Sequence, residues 1–594
     1  MHDWKLKSAD PLALTLAADA RLSKLDYGND HIWEVSLKGG EPSAVDIHTT
    51  YGLRALSMRI FPRFIQGNTS ISDPAAFIQP PTVRRFYPNY LLLTCTPLSG
   101  LDVSCEYYVP DSQLLIGRMR LLNTNVTPIQ FRLEWIAMLL PLGEGLGMSQ
   151  AQIEVTSILQ GKSGGLEPVF FITGGPEADA SSYPCMAINL KLMPGINHQV
   201  TWSLASLSDR LQSFERARQA VNRPLEAELA RLEMLNNQYL LEIETGEEEW
   251  NAAFAFSQKT AFSAIYNPSI KLPHSSFVLS RQPDYGYSRR GDGSDYDHAW
   301  DGQSPIDAYF LTHFLLPGAP LLAQGLLMNF LTTQAEDGSI NHKPGLSGQL
   351  ARFNAAPILT SLAWRLYQAN QDKAFLVDLY PSLVRFIDSW FNSAHDRDQD
   401  GFPEWDHPQQ TLFEDNPSFD LWHTWGQGND ITTFENPGLG SILYMELHNL
   451  AQISRLLNRP EDEFQNLFKR AERIKIAVEA CWDPRRSIYR DRDRDTHLTP
   501  SGENLGRLVG PGEIQLHRQL KTAQRLNITV YLQGEATRPA QLTILGKTSS
   551  GIKKEVIFAR SLVWVHGKGI FTTQENYDEV ESISIHGLDT KDEI

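Results

Sequence analysis

Cysteine is scarce in this chain: Cys95, Cys105, Cys185 and Cys481 are the only four in 594 residues. They are widely spaced and none stands in a CxxC pair, so neither a disulfide framework nor a cysteine zinc site is indicated. No apolar run approaches the length of a membrane span. The opening MHDWKLKSADPLALTL sets acids and polar residues where a signal peptide needs its apolar core. Positive charge is also short. Lys and Arg number 53 against 70 Asp and Glu, for a formal net charge of -17. Dense basic stretches are brief, so nucleic acid and anionic membranes are excluded as general partners. The expectation is a cytoplasmic, enzyme-sized protein.

What is present is apolar and aromatic. Hydrophobic residues make up 42% of the chain and aromatics 10%, enough for two or three packed cores at this length. The fold class expected is multidomain α+β. Over residues 1–208 the period is two: Phe131, Leu133, Trp135 and Ala137 alternate with Arg132 and Glu134, and Val200, Trp202 and Leu204 repeat the pattern. That predicts a large N-terminal β-sandwich. A charged helical connector follows over 209–244, and a helical domain over 245–509. Its apolar stripes recur at helical spacing, as in Leu322, Leu326 and Phe330, Leu383, Phe386, Ile387 and Trp390, and Leu443, Leu447, Leu450 and Ile453; these are core-facing sides of helices. Over 510–594 the period returns to two, which predicts a small β-rich module.

Chemistry concentrates in DRDQDGFPEWDHPQQTLFEDNPSFD, residues 396–420. Asp396, Asp398 and Asp400 stand two apart before Gly401, as in the first half of a calcium loop, with the Phe402 carbonyl and Glu404 at later ligand positions. His407 occupies the place where an EF-hand needs glutamate, so the loop is no EF-hand. A structural Ca²⁺ is expected, because crowded carboxylates on a tight turn are relieved by a cation. Further on, Asp415 and Asn416 lie between Trp405, Phe413, Phe419 and Trp422. Aromatic faces stack on sugar rings, and a carboxyl desolvated by them is suited to donate a proton.

The order WDG (Trp300–Gly302), QAEDGSINHKPG, AAPILTSLAW, DRDQDGFPEW and EDNPSFD resembles the catalytic domain of glycoside hydrolase family 63 and its clan relatives, trehalases and mannosylglycerate hydrolases among them. The likeness covers about residues 245–490. It implies a toroid of six α-hairpins behind a β-sandwich, and inverting hydrolysis of α-glycosidic bonds by two carboxylates. By its motif Asp415 is the general acid, although Phe413 replaces the family's Gly and Pro417 precedes Ser418. Trp300 and Asp301 are implied as sugar-binding, with Trp405, Asn416 and Trp422 as further substrate contacts, and the calcium loop closes on Glu404 as in relatives. The substrate partner implied is an oligosaccharide or glycoside.

The family places its general base late, in a segment that TTQENYDEV resembles, which makes Glu575 the candidate. Glu575 nevertheless falls inside the β-patterned module. Only about seven or eight helical segments fit between 245 and 490, fewer than a closed toroid of six hairpins holds. The expectation is therefore an incomplete toroid carrying the module as an insertion, with closing helices and base beyond residue 594. Three functions follow from this sequence: an exo-acting inverting glycosidase on an α-glucoside or related short saccharide, a carbohydrate-binding or inactive toroid remnant, and a glucoamylase, debranching-type glucosidase or disaccharide phosphorylase.

Overall fold

The computed structural model describes residues 6–7, 14–37, 46–176, 181–296, 302–411, 413, 415–423, 425–500, 502–534 and 537–594. It divides into two compact units. One comprises Met1–Gln303, Phe310–Asn329 and Lys343–Leu350, and the other Ser304–Tyr309, Phe330–His342 and Ala351–Ile594.

In the first unit, antiparallel strands form two sheets of nine and seven strands. Their facing sides share one core, in which Trp135 of the smaller sheet meets Trp202 of the larger at 5.0 Å between ring centroids. The alternation along Ile129–Pro141 explains this: Phe131, Leu133, Trp135 and Ala137 all turn inward and are buried. Glu134, on the other side, is buried as well because Arg63 and Arg132 both pair with it. Gly117 lies opposite Trp202 in the ladder, and a Cβ there would come within 2.0 Å of the indole. Only glycine leaves room for that ring.

Helices α1 (Arg210–Val221), α2 (Leu225–Tyr239) and α3 (Glu248–Ala264) belong to the same unit. Asp209 caps α1 by accepting from the Gln212 amide at 2.9 Å. Phe256 of α3 stacks on Phe86 at 6.0 Å, and the buried Lys259 ammonium donates to the Thr15 carbonyl at 2.7 Å.

Helices α4 (Pro305–Leu315) and α5 (Pro320–Leu331) come next in the chain. The second unit holds α6 (Leu359–Asn370), α7 (Lys373–Ser389), α8 (Pro437–Leu456) and α9 (Glu461–Ala480). Local sequence sets their limits. Asp372 caps α7, Asn436 caps α8 ahead of Pro437, and α6 ends at Gln371 in a left-handed conformation with φ 56°. The stripes of α7 and α8 are fully buried. Glu446 of α8 is buried too, and its carboxylate accepts from the Thr360 and Ser361 amides at 2.7 and 2.8 Å, so it closes the exposed donors of α6's first turn.

Beyond α9, Gly512–Gln524, Tyr577–His586, Gln541–Thr548 and Gly551–Phe558 form a four-stranded sheet, and Asn527–Tyr531, Lys568–Thr572 and Val563–Val565 a three-stranded one. Ile528, Val530, Leu542, Ile544, Tyr577, Val580 and Ile585 fill the core of this module. No helix among the described residues is long and apolar enough to cross a membrane.

Candidate active site

The acidic turn follows α7. Gln399 and Gly401 take positive φ values of 61° and 91°, which curl the chain so that each aspartate meets a backbone amide. Asp396 Oδ2 accepts from the Gly401 amide at 3.1 Å, Asp398 Oδ1 from Asp400 at 3.3 Å, and Asp400 Oδ1 from Phe402 at 2.7 Å. The second oxygens of Asp398 and Asp400 face His497 at 4.0 and 3.8 Å. Asp396 Oδ1 and Glu404 Oε1 are both buried with no hydrogen-bond partner, while Glu404 Oε2 accepts from the Arg397 amide and guanidinium at 3.2 and 3.1 Å. Burial, with Asp400 and Asp398 adding repulsion, pushes the Asp396 carboxyl up to about 6. Burial likewise pushes Glu404 up to about 8 against the pull of Arg397.

Two further residues join this cluster from distant parts of the chain. Single ligand atoms of Asp398, Asp400, Glu435 and His497 all lie within 4.8 Å of one another. Glu435 is wholly buried and pushed up to about 7 by that burial, although Arg492 pairs with it; its Oε1 sits 2.7 Å from His497 Nδ1. Nothing in the sequence around Glu435 or His497 marks them, because 62 positions separate the pair.

The second group lies on the loop after the turn. Asp415 is exposed, and its carboxylate lies within 4.8 Å of ligand atoms of Asp420 and His423. Asp420 is buried. It accepts from the Trp422 amide at 2.7 Å and meets His423 Nδ1 at 2.5 Å. Burial raises this carboxyl, but the Trp422 amide and His423 outweigh it and hold Asp420 below the usual carboxylate range. The His423 ring stacks on Trp425 at 4.8 Å, nearly parallel at 13°. Asn416 fixes the turn by accepting from the Ser418 amide at 2.9 Å through its side chain. Phe413, Trp422 and Trp425 stand open to solvent, at 72%, 66% and 54% exposure. The Asp-x-x-His spacing of Asp420 and His423 was a readable sign of this pair.

Two expectations change. Trp405, expected at the substrate, is 1% exposed and stands edge-on to the buried Trp390 at 5.7 Å; its faces are spent on the core and cannot take a sugar. Phe419 is also buried, against Phe434 at 5.4 Å. Asp415 therefore sits in the open beside exposed aromatics instead of being walled in by rings. Glu575 occupies the exposed connection between Lys568–Thr572 and Tyr577–His586. Its carboxylate pairs with Lys553 at 2.6 Å, and that contact holds it below the usual glutamate range. Trp300 and Asp301, with Glu414, fall outside the described residues.

Residues 300–520 match the family model described as the mannosylglycerate hydrolase MGH1-like glycoside hydrolase domain. No curated protein matches the chain in sequence. Among solved structures, a putative kojibiose phosphorylase from human microbiome is 10% identical, with a TM-score of 0.41 over 82% of this chain and 72% of that one. A bacterial glucoamylase complexed with acarbose is 10% identical, with a TM-score of 0.43 over 81% and 70%. The family 63 mannosylglycerate hydrolase from Thermus thermophilus in complex with Tris is 16% identical, with a TM-score of 0.29; the match covers 34% of this chain and 64% of that enzyme.

Proposed function

On the premise of a glycoside hydrolase domain over residues 300–520, we propose that the chain carries the acid half of an inverting, exo-acting site for an α-glucoside or related short saccharide. The helices of the second unit would belong to an α/α toroid. The observation that carries the reading is Asp415, an exposed carboxyl set against the Asp420–His423 pair on a loop whose Phe413, Trp422 and Trp425 rings face solvent. Asp415 would protonate the glycosidic oxygen as the bond to the anomeric carbon breaks. The exposed rings would stack on the sugar's apolar face. Asp420 cannot serve as the partner carboxylate, because its oxygens already hold the Trp422 amide and His423.

We propose that the acidic turn holds a structural Ca²⁺. Asp396, Asp398, Asp400, the Phe402 carbonyl and Glu404 would hold it, and the buried, unpartnered oxygens of Asp396 and Glu404 support that fit. The ion's contribution would be to neutralise the crowded carboxylates. A second reading, a saccharide-binding site without turnover, is favoured by the Lys553 pairing of Glu575, which leaves the candidate base engaged inside the module.

Asp415→Asn tests the reading. In an enzyme complete with its general base, turnover of natural α-glycosides should fall by roughly two to four powers of ten, the scale of a lost general acid, while aryl glucosides with good leaving groups lose less. Equal loss on both substrates would make Asp415 a binding residue.

A further inference from the structure

The described residues of the loop after Asp415 form no helix or strand from Asp420 to Asn429, yet they are firmly anchored. The loop's own upstream turn supplies two anchors, the Gln427 amide donating to the Pro417 carbonyl at 2.6 Å and the Asn429 amide to the Ser418 carbonyl at 2.8 Å, and a further set comes from the paired strands Asn527–Tyr531 and Lys568–Thr572 and the connection after them. The Lys568 ammonium donates to the Gly426 carbonyl. Asn527 Nδ2 donates to the Gln427 carbonyl at 3.1 Å and to Asn429 Oδ1 at 2.5 Å. The Asp430 amide donates to Thr572 Oγ1 at 3.0 Å, and Gln574 Nε2 to Asp430 Oδ2 at 3.1 Å. Gly428, at φ 64°, is pressed so closely on Ile570 that a Cβ would lie 2.3 Å from its Cδ1.

Lys568 is the unusual member. Lysine is seldom buried unless paired, and this one is 4% exposed. An apolar side chain of similar length would fill the space at less cost, since an ammonium out of water must be compensated. Burial pushes its pKa down, and the Asp420 carboxylate opposes that shift. The carbonyl it holds, that of Gly426, lies on the same loop as Asp420 and His423, and those two lie against Asp415.

We propose that Lys568 is a positioning residue for the candidate acid: together with Asn527 and Thr572 it holds residues 420–430 so that Asp420 and His423 stay set against Asp415. The β-rich module is then part of the acid site and not a separate appendage. This rests on the reading of Asp415 as the acid, but the clamp itself can be read without turnover.

The experiment uses the full chain with Lys568→Met and Asn527→Ala. Amide hydrogen exchange over 420–430 should rise about tenfold or more in Lys568→Met and less in Asn527→Ala, the scale of a lost charge-assisted anchor. Strands Gln541–Thr548 and Tyr577–His586 should keep their protection. In an enzyme complete with its general base, kcat on an α-glycoside should fall about tenfold while KM moves less than about threefold, since the exposed rings that bind sugar are untouched. Unchanged loop exchange in Lys568→Met, or exchange rising equally across the whole module, overturns the proposal. A freed loop together with full turnover by Asp415→Asn keeps the clamp and removes the acid assignment.

Discussion

Tryptophans 405 and 422 stand 17 positions apart around the same acids, and their surroundings give them opposite tasks. Trp405 packs at 1% exposure against Trp390, whereas Trp422 is 66% exposed. Trp405→Ala should therefore cost about 3–5 kcal/mol of stability, the range for deleting a buried aromatic. Trp422→Ala should stay within about 0.5 kcal/mol of the parent, as exposed substitutions do. Denaturant unfolding of both variants, with sugar-induced quenching of tryptophan emission, checks the division; a stable Trp405→Ala variant that no longer binds sugar would reverse it. Sequence proximity could not separate these two residues. Both neighbour carboxylates and both are aromatic, and it is the perpendicular packing of Trp405 with Trp390, the residue after α7, that encloses one of them. Asp420 and His423 were within reach of a sequence reading through their spacing, while Glu435 and His497 meet only because the chain folds back beside the acidic turn.

At the scale of elements, the stripes of α7 and α8 and the alternation of the sandwich strands were legible because one buried face imposes one period. The buried carboxyl that joins α8 to α6 was not, since Glu446 breaks the apolar pattern and is explained only by the α6 amides it meets. Burial pushes Glu446 from about 4.5 up to about 7. The folded chain thus holds a proton between those values that the unfolded chain has released. Its contribution to stability is greatest below about pH 4.5 and is lost as pH rises through about 7. Glu446→Gln carries no such proton, so Tm measured from pH 5 to 8 should fall more steeply in the parent than in the variant. Parallel curves would show that the carboxyl is ionised throughout.

The acidic turn is an element of the same kind, readable as Asp-x-Asp-x-Asp-Gly because its side chains bond their own backbone. Titration of Ca²⁺ into chelator-treated protein should give heat and a raised Tm, and Asp398→Asn should weaken both. A chain that shows neither response leaves Asp396 Oδ1 and Glu404 Oε1 without the partner proposed for them.

For the whole molecule the decisive question is where a second carboxylate could act. Inversion needs it about 6.5–9.5 Å from the acid, with water between. The Asp420 carboxylate lies within 4.8 Å of Asp415 and is fully engaged, so it leaves no place for that water. Glu575 belongs to the module that clamps the acid loop, but its carboxylate turns to Lys553 on the edge strand Gly551–Phe558 and not to the loop. Neutralising Glu575 should therefore remove one exposed ion pair, worth less than about 1 kcal/mol, and leave saccharide chemistry untouched. The measurement is binding and turnover of maltose-type, trehalose and mannosylglycerate substrates by the chain and by Glu575→Gln. The expected outcome is weak sugar binding with little turnover, the same in both proteins. Robust hydrolysis by the parent that disappears in Glu575→Gln would make Glu575 the base, and would mean that the module swings its Lys553-paired connection over the acid when substrate binds.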